Sequence, residues 1–370
     1  MLRLLYLYGE EITGKRAREI HTLNRCLSLC RAGLRVDLVV AESPAFPSDT
    51  LLFKAFGLAA HENLSITRLP RRWKLGPFSV TSSRHYYRQV EHLLAGAAHF
   101  DATYAIHLKA AQFLQKSLPD LPTVFEAHEI FADAWPEGCG KFLKLSRQES
   151  EVYGRARAVV ATSAYLLGEL QRRYKMPEKV FISPNCADES FFLDASDSQD
   201  RNELIYVGSF QGWKGVPTAV AAMRHLPEHH LTVVGGSAEQ VRALSAHAPA
   251  NVSFTGFLSR KKILPLLSRA SIGLLPNRLE PKNSLYTFPM KFLEYAAANK
   301  KIVATDLPVL RELGPGPWVA FAPPDDPKAL AEAVLALSSR NAGHEPRDWA
   351  LNYRWDARAL VLAQFLQEFA

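Results

Sequence analysis

Cysteine is scarce in this sequence, which has four of them in 370 residues and no Cys-x-x-Cys pair. Cys26 and Cys30 lie one helical turn apart, a spacing typical of small core residues, so the sequence predicts neither a zinc site nor a disulfide framework. Long apolar runs are also missing, because no stretch approaches the roughly 18 residues of a membrane span. The first apolar segment meets Gly9 too early for a secretion signal. We therefore expect a cytoplasmic protein.

Several diagnostic motifs are missing as well. No Asp-x-Asp follows a predicted strand, so the sequence does not predict a metal-clamped diphosphate, and we expect neither a metal nor another cofactor. No recognition helix, RRM or zinc-finger pattern is present, and so no nucleic-acid partner is expected.

Charge and length are informative in a positive sense. The chain carries 44 Lys and Arg against 37 Asp and Glu, a formal net charge of +7. This excess suits anionic partners such as nucleoside diphosphates, lipid phosphates or an acidic membrane surface. A length of 370 residues exceeds what one core usually serves, and a hydrophobic fraction of 48% is typical of a globular protein. Two domains are therefore expected.

Strand-like apolar runs alternate with helical patterns along both halves of the chain. Such alternation predicts an α/β protein with parallel sheets covered by helices on both faces. The polar run 193–202 is typical of a linker. We predict an N-terminal domain over residues 1–193, a second domain over 203–350, and a C-terminal segment, 351–370, that contains one last helix.

The segment 284–306 carries the strongest functional signal. It sets Lys291 and Glu294 beside a loop-to-helix junction and then returns to a β-rich run. If Pro289 occupies the first turn, the amides of residues 286–291 are free donors at the positive end of a helix and can meet a diphosphate. Lys291 adds a full charge there, and Glu294 can accept hydrogen bonds from a ribose diol. An ordinary buried helix with a solvated Lys and a capping Glu is the alternative.

Predicted strands in the second half end at glycines or small polar residues. Gly208 and Ser209 follow one strand and Gly235 the next, and glycine lets backbone approach a ligand where a Cβ would collide. In an open α/β sheet such strand ends line the ligand crevice. The predicted nucleotide-sugar-binding residues in this half are Gly208, Ser209, Lys214, Gly235, Phe257, Asn277, Phe288, Lys291 and Glu294.

These segments together resemble the retaining GT-B glycosyltransferases of the large glycogen-synthase-like group, glycosyl transferases group 1, of bacterial polysaccharide and glycolipid synthesis. The resemblance is strongest from Val160 to Asp306 and weak over the rest of the chain. Its motifs are Ala161-Thr162-Ser163, residues 182–188, Tyr206-Val207-Gly208 with Lys214-Gly215, Gly235-Gly236, Phe254-Thr255-Gly256 and the Glu294 segment.

The resemblance implies two Rossmann-like domains that face each other across a cleft, with the acceptor on the side of the N-terminal domain. The donor would be a nucleoside-diphosphate sugar, the acceptor a glycan or lipid-linked glycan, and the last helix would cross back to the N-terminal domain. Two positions depart from the family pattern. Tyr286 stands where the family often has a Glu that contacts the donor sugar, and Ser209 stands where an Arg often supports the diphosphate, which leaves Lys214 and Lys291 to supply positive charge.

In the N-terminal half, the resemblance implies a flexible loop over residues 9–15 that faces the donor or acceptor, with Gly9 supplying close backbone. A plain strand-to-helix turn is the alternative. His128 follows a predicted strand, and in many relatives a His at this point contacts the donor sugar, which a neutral imidazole can do by hydrogen bonding a hydroxyl. A structural His is the alternative there, and Glu126 and Glu129 are weaker candidates.

The region from Leu69 to Phe78, with Arg84 and Arg88, mixes cations with aromatics. It could lie against an anionic bilayer or hold a lipid phosphate, or it could be a solvated loop. A peripheral place at the inner face of the membrane is therefore an additional expectation.

The sequence as a whole predicts a metal-independent retaining glycosyltransferase of hexosyltransferase type, with His128, Lys214 and Lys291 as its catalytic residues. The alternatives are a sugar-nucleotide epimerase or hydrolase of the same fold, or a non-catalytic nucleotide-sugar-binding protein.

Overall fold

The computed structural model describes residues 1–14, 16–75, 78–96, 99–192, 202–279, 282–286, 288–313, 316–340 and 342–368, with the side chains of 73–80, 283 and 284 left out. The chain divides into two compact units. Unit 1 comprises Met1–Pro184 together with Trp355–Ala370, and unit 2 comprises Asn185–Arg354.

Unit 1 is built on a seven-stranded sheet in the order β3-β2-β1-β6-β7-β8-β9, and its neighbouring strands are parallel. A separate antiparallel ribbon pairs β4 with β5. The elements of unit 1 are β1 (Arg3–Glu11), α1 (Ala17–Arg31), β2 (Arg35–Ala41), α2 (Asp49–Phe56), β3 (Leu64–Leu69), β4 (Arg72–Leu75), β5 (Phe78–Thr81), α3 (Ser83–Ala95), β6 (Ala102–Ala105), α4 (Leu108–Ser117), β7 (Thr123–Ala127), α5 (Gly140–Arg155), β8 (Ala158–Ala161), α6 (Ala164–Arg173) and β9 (Lys179–Ile182).

The apolar run at the start of the chain explains why β1 is a central strand. Residues 4–8 are all fully buried, as expected of a parallel strand with helices on both faces. Closer to the β9 edge of the sheet, Ser163 follows β8 and caps α6, because its hydroxyl accepts the Leu166 N–H at 3.0 Å. The Ala161-Thr162-Ser163 motif is therefore a strand end followed by a helix cap.

The last helix of unit 1, α14 (Trp355–Gln367), comes from the C-terminal end of the chain and packs on α1. Leu362 and Leu366 join the same core cluster as Leu23 and Leu29. Phe365 stacks on Phe181 of β9 with ring centroids 4.9 Å apart. The helix therefore completes the core of the first unit.

Unit 2 is built on a six-stranded parallel sheet in the order β12-β11-β10-β13-β14-β15. Its elements are β10 (Glu203–Val207), α7 (Val216–Ala222), β11 (His230–Val234), α8 (Ala238–Ser245), β12 (Val252–Gly256), α9 (Arg260–Arg269), β13 (Ile272–Leu275), α10 (Met290–Ala297), β14 (Lys301–Thr305), α11 (Pro308–Arg311), β15 (Val319–Ala322), α12 (Pro327–Ser338) and α13 (Glu345–Ala350).

The domain boundaries predicted from the sequence were wrong at two places. The first unit ends at Pro184 and not at 193, because the chain after Pro184 already pairs within unit 2: the Ala187 N–H donates to the Tyr353 carbonyl at 2.9 Å. The C-terminal return begins at Trp355 and not at 351, since Tyr353 packs on Trp349 with ring centroids 4.4 Å apart. The contact between Ala187 and Tyr353 joins residues more than 150 positions apart, so composition along the chain could not reveal it.

The structure also shows where two cysteines lie and whether any helix could span a membrane. Cys26 and Cys30 are unpaired and buried in the core of unit 1. Within the described ranges, no helix combines the length and apolar character that crossing a bilayer would require.

Candidate functional site

The sheet of unit 2 has a topological switch point between β10 and β13. Strands β10 to β12 progress in one direction from β10, and β13 to β15 progress in the other. In open parallel sheets, ligands bind outside the carboxyl ends of the strands at such a point. The predicted residues Gly208, Ser209, Gly235, Phe257 and Asn277 follow the carboxyl ends of β10, β11, β12 and β13, so the topology brings them to one edge.

Close backbone packing at this edge explains two of its glycines. Gly235 has a φ of 124°, and a Cβ built there would stand 1.9 Å from the Gly208 carbonyl oxygen. Gly215, at the start of α7, has a φ of 63°, and its Cβ would stand 1.7 Å from the Pro276 carbonyl oxygen. The loops after β10, β11 and β13 are thus packed backbone against backbone, which leaves no room for a side chain.

Lys214 and Lys291 form the cationic part of the site. Lys214 ends a short 3₁₀ helix after β10, and its Nζ lies 3.7 Å from the centroid of the Trp213 ring. Burial, and then the nearby Lys291 charge, lowers the pKa of Lys214 to about 8. The charge of Lys291, which is 77 positions away in sequence, therefore acts on Lys214 in the fold. Such mutual repulsion is relieved by an anion bound between them.

Glu294 lies one turn into α10 and is paired with Lys291 in an ion pair between the Lys291 Nζ and the Glu294 Oε2. The Glu294 side chain is 11% exposed and the Lys291 side chain 30% exposed, so both retain access to solvent. A carboxylate held beside a cation at this edge can accept hydrogen bonds from a diol while the cation meets phosphate.

The predicted role of Pro289 was slightly wrong. Pro289 is the residue before the helix, with φ −79° and ψ 105°, and α10 begins at Met290. Its extended ψ sets it outside the first turn, and the Phe292 N–H already donates to the Pro289 carbonyl at 3.0 Å. The helix therefore begins one residue later than predicted, at Met290, and the free N–H groups at its start begin one residue later as well.

The other predicted residues of unit 2 differ in accessibility. Phe257 is 85% exposed, so its ring is open to a partner such as a base. Asn277 is buried, and its Oδ1 has no hydrogen-bond partner among the described residues. The Phe288 side chain lies in the hydrophobic core, and its carbonyl accepts the Asn185 side-chain amide at 3.2 Å. A ligand contact from Phe288 would therefore involve its backbone.

The two positions that depart from the family pattern have structural roles. Tyr286 is buried, with 2% of its surface exposed. The Ser209 carbonyl accepts the Tyr206 hydroxyl at 2.8 Å, which ties the loop after β10 back to its own strand. Tyr295 holds the same strand from the other side, because its hydroxyl accepts the Val207 N–H at 2.8 Å.

Unit 1 has its own switch point between β1 and β6. Gly9 lies near the end of β1 with a φ of 75°, and a Cβ there would stand 3.3 Å from the Tyr87 hydroxyl oxygen. His107 follows β6, and burial, followed by the Arg18 charge, lowers the pKa of His107 to about 3, so its imidazole is neutral at pH 7. Lys15, the last residue of the predicted loop, lies outside the described residues.

His128 follows β7, the neighbour of β6, and its side chain is 14% exposed. Its Nε2 lies 3.3 Å from Oε1 of Glu126, a carboxylate that is completely buried. The sequence had ranked Glu126 as a weak candidate. Sequence reasoning missed His21 and Arg25, whose side chains also reach this carboxylate. Their only signal in the sequence is that two polar residues stand four positions apart, one turn of a predicted helix.

Both units are similar to known glycosyltransferases. Residues 19–191 match the model of Glycosyltransferase Family 4, and residues 201–340 match that of Glycosyl transferases group 1. The glycogen synthase of Mycobacterium tuberculosis is 30% identical over 177 residues, which cover 44% of this chain and 41% of that protein. The chain thus spans about two fifths of the length of this curated relative.

Solved structures resemble the whole chain at low identity. The sucrose-phosphate synthase of Thermosynechococcus elongatus superposes with a TM-score of 0.75 at 18% identity, over 100% of this chain and 99% of that one. Anabaena HepE in complex with UDP-glucose superposes with a TM-score of 0.65 at 15% identity, over 100% and 98%. Two parallel-sheet Rossmann-like units and these neighbours define the GT-B fold. Two glycosyltransferase family models thus match successive parts of the chain, the family 4 model mainly in unit 1 and the group 1 model in unit 2, and the chain has the GT-B fold.

Proposed function

We propose that this protein is a retaining, metal-independent glycosyltransferase that moves a hexose from a nucleoside-diphosphate sugar to a glycan or lipid-linked glycan. The observation that carries the proposal is the pair formed by Lys214 and Lys291 at the switch point of unit 2. Burial and then the Lys291 charge lower the pKa of Lys214, and an anion bound beside Lys214 would favour its charged form. A diphosphate supplies such an anion, and the N-terminus of α10, where Lys291 lies, favours negative charge.

The same pair serves the chemistry. Charge on the diphosphate grows as the bond to the sugar breaks, so fixed cations stabilise the transition state more than the bound donor. The carbon–oxygen bond to the diphosphate breaks, the acceptor oxygen bonds to the same carbon, and the departing phosphate takes the acceptor's proton. No protein nucleophile takes part in this scheme. Glu294 accepts the ribose hydroxyls, and His128 in unit 1 hydrogen bonds a hydroxyl of the transferred sugar.

The activities and ligands of similar proteins support the choice of substrates. HepE is described in complex with UDP-glucose, and the mycobacterial relative is a glycogen synthase. A uridine diphosphate sugar is therefore the first donor to test, and an α-linked glucan is a reasonable first acceptor.

We further propose that the protein contacts an anionic membrane surface. The sequence suggested this contact through the basic and aromatic region 69–78, but the side chains of 73–78 are not among those described. The start of α5 offers a described surface of the same chemistry: Leu143 is 58% and Trp135 41% exposed, and the Lys141 Nζ lies 3.5 Å from the Trp135 ring centroid. Exposed Lys144 and Arg147 add charge. Aromatic and aliphatic side chains ringed by cations suit a lipid headgroup region.

The test combines calorimetry with product analysis. UDP should bind the wild-type chain, and the double variant Lys214→Ala/Lys291→Ala should bind it at least about tenfold more weakly, the loss expected for removing charge-assisted hydrogen bonds. Lys328→Ala, on an exposed lysine of α12, is the control. Equal affinities in all three proteins would overturn the proposal.

Turnover distinguishes the remaining functions. Incubation with UDP-glucose and a panel of glucans and glycolipids should yield an α-linked product, and its anomeric configuration by NMR tests retention. Free sugar or an epimer formed without acceptor would identify a hydrolase or epimerase, and tight UDP binding without any product would identify a binding protein.

A further inference from the structure

Glu126 is a buried carboxylate on a strand inside the sheet of unit 1. It lies on β7 with none of its surface exposed. Its Oε2 accepts the Tyr104 hydroxyl at 2.6 Å. Its Oε1 lies 2.8 Å from Nε2 of His21, 3.1 Å from a terminal nitrogen of Arg25 and 3.3 Å from Nε2 of His128. Burying a carboxylate costs free energy unless it is paired in this way.

The charge state of this cluster is well defined. Burial would raise the pKa of Glu126, but the Arg25 charge and the histidine donors outweigh burial and hold that pKa well below its usual range. Burial lowers the pKa of His21 to about 4, so His21 is neutral at pH 7 and donates its Nε2 proton to Glu126. The carboxylate is thus an anion that only accepts hydrogen bonds.

His128 is the member of this cluster that reaches the surface. Its Nε2 is buried and makes no hydrogen bond of good geometry with the described residues, and Oε1 of Glu126 is an acceptor 3.3 Å away from it. The exposed part of the ring therefore excludes Nε2. Because a carboxylate can only accept, the ring nitrogen that faces it must carry the proton, which makes Nδ1 of the neutral ring an acceptor. In the free protein this contact is too poorly aligned to be a hydrogen bond, and hydrogen bonds of catalytic groups often align and tighten only when substrate binds.

A metal ion is the competing explanation. One ligand atom each from His21, Glu126 and His128 lie within 4.8 Å of one another, close enough to hold a cation. The Arg25 guanidinium, however, contacts the same Oε1 oxygen that faces both histidines. A cation on that oxygen would be repelled by this buried positive charge, so the arrangement favours protons over a metal on the histidines.

We propose that Glu126 is a positioning residue that acts through His128. It holds the imidazole in the tautomer with the proton on Nε2, so that Nδ1 accepts a hydrogen bond from a hydroxyl of the sugar substrate. Tyr104 and Arg25 in turn hold the carboxylate in place. This inference rests on the proposed function for its substrate, but the tautomer itself is a property of the free protein.

The decisive measurement is ¹⁵N NMR of the wild-type protein labelled in its histidines. The two ring nitrogens of His128 are assigned by the signals that disappear in His128→Gln. A protonated Nε2 and an unprotonated Nδ1 are expected, and the opposite tautomer would overturn the proposal. A shift of both signals on adding Zn²⁺, with a rise in melting temperature that His128→Ala abolishes, would also overturn it, because a metal would then occupy Nε2.

Steady-state kinetics test whether the tautomer matters for turnover. Glu126→Gln should lower kcat by about 10–100-fold, as is typical for partners that orient a functional histidine, with a smaller change in KM. UDP affinity measured by calorimetry should stay unchanged, since unit 2 binds the nucleotide. The control is Asp37→Asn, which breaks another ion pair of unit 1, with Arg3 at 2.7 Å.

If Glu126→Gln and Asp37→Asn lower kcat equally, Glu126 is only structural and the proposal fails. Should Glu126→Gln not fold, the wild-type NMR measurement still decides. Failure of the proposed function would appear separately, as a lack of UDP binding or product in the wild-type protein.

Discussion

The Gly215 backbone passes so close to Pro276 that a Cβ on Gly215 would stand 1.7 Å from the Pro276 carbonyl oxygen. This contact joins the loop after β10 to the end of β13, the two strands that flank the switch point of unit 2. Lys214 immediately precedes Gly215 and Asn277 immediately follows Pro276. The contact therefore sets the distance between two parts of the candidate nucleotide site.

Gly215→Ala should destabilise unit 2 more than a positive φ alone explains. Gly57 is the matched control, because its φ of 67° is close to the 63° of Gly215 and nothing lies within 4 Å of its missing Cβ. Gly57→Ala should lower the free energy of unfolding by about 1–2 kcal/mol through backbone strain. Gly215→Ala should cost a further 1–3 kcal/mol or so, because backbone must move to admit the methyl group. Urea denaturation measures both, and equal losses would contradict the contact.

UDP affinity should fall as the pH rises above about 8. Lys214 has its pKa lowered to about 8 in the free protein, and a bound diphosphate raises it by favouring the charged form. Above pH 8 the free protein must therefore take up a proton on binding, which weakens affinity by up to about tenfold per pH unit. Lys214→Arg keeps its charge at these pH values and should flatten the profile in calorimetry from pH 7 to 10. The same slope in both proteins would show that Lys214 does not meet the phosphate.

Glu294→Ala should weaken UDP binding by about 1–3 kcal/mol, the scale of hydrogen bonds to a charged acceptor. Pyrophosphate, which has no ribose, should bind as tightly as before or more tightly, since Lys291 loses its internal partner. Calorimetry with both ligands separates the ribose from the phosphate contribution. Glu332→Ala, on the exposed face of α12, is the control, and an equal loss for UDP and pyrophosphate would remove Glu294 from the ribose.

Nucleotide binding should be unchanged by EDTA or by added Mg²⁺. Lys214 and Lys291 provide fixed positive charge for the diphosphate, so a metal ion is not needed to neutralise it. Isothermal titration with UDP in the two buffers, together with turnover of UDP-glucose, checks this expectation. Loss of activity in EDTA with recovery in Mg²⁺ or Mn²⁺ would overturn the metal-free mechanism.

Binding to anionic vesicles should exceed binding to neutral ones and fall with salt. The double variant Leu143→Ser/Lys144→Glu should lose most of this preference, because it removes the exposed apolar and cationic side chains at the start of α5. Leu335→Ser/Lys328→Glu makes the same changes on α12 in unit 2, where Leu335 is 52% exposed. Cosedimentation compares the three proteins, and equal partitioning of all three would place any lipid contact elsewhere.

Much of unit 2 could be predicted from local sequence. Apolar runs that end in glycine, such as the one before Gly208, were correctly interpreted as parallel strands. Lys214 was predicted to contact the nucleotide because it follows the first of these strands. Such signals are local, because a strand, its terminal glycine and the following helix lie within a few residues of each other.

The cluster around Glu126 could not be found in the same way. His21 and Arg25 come from α1 and Tyr104 from β6, and each is more than 20 positions from Glu126. A polar residue on a helix that covers a sheet is compatible with many partners until the sheet order is known.

The sequence by itself determined the two alternating α/β halves, the glycine-lined strand ends and the family resemblance, since these depend on periodicity and on residue types at short spacing. Tertiary structure decided where unit 1 ends, which helix completes its core, that the charge of Lys291 acts on Lys214, and which donors surround Glu126. Each of these depends on contacts between distant segments, and their free energy is realised only when the parallel strands assemble in one order.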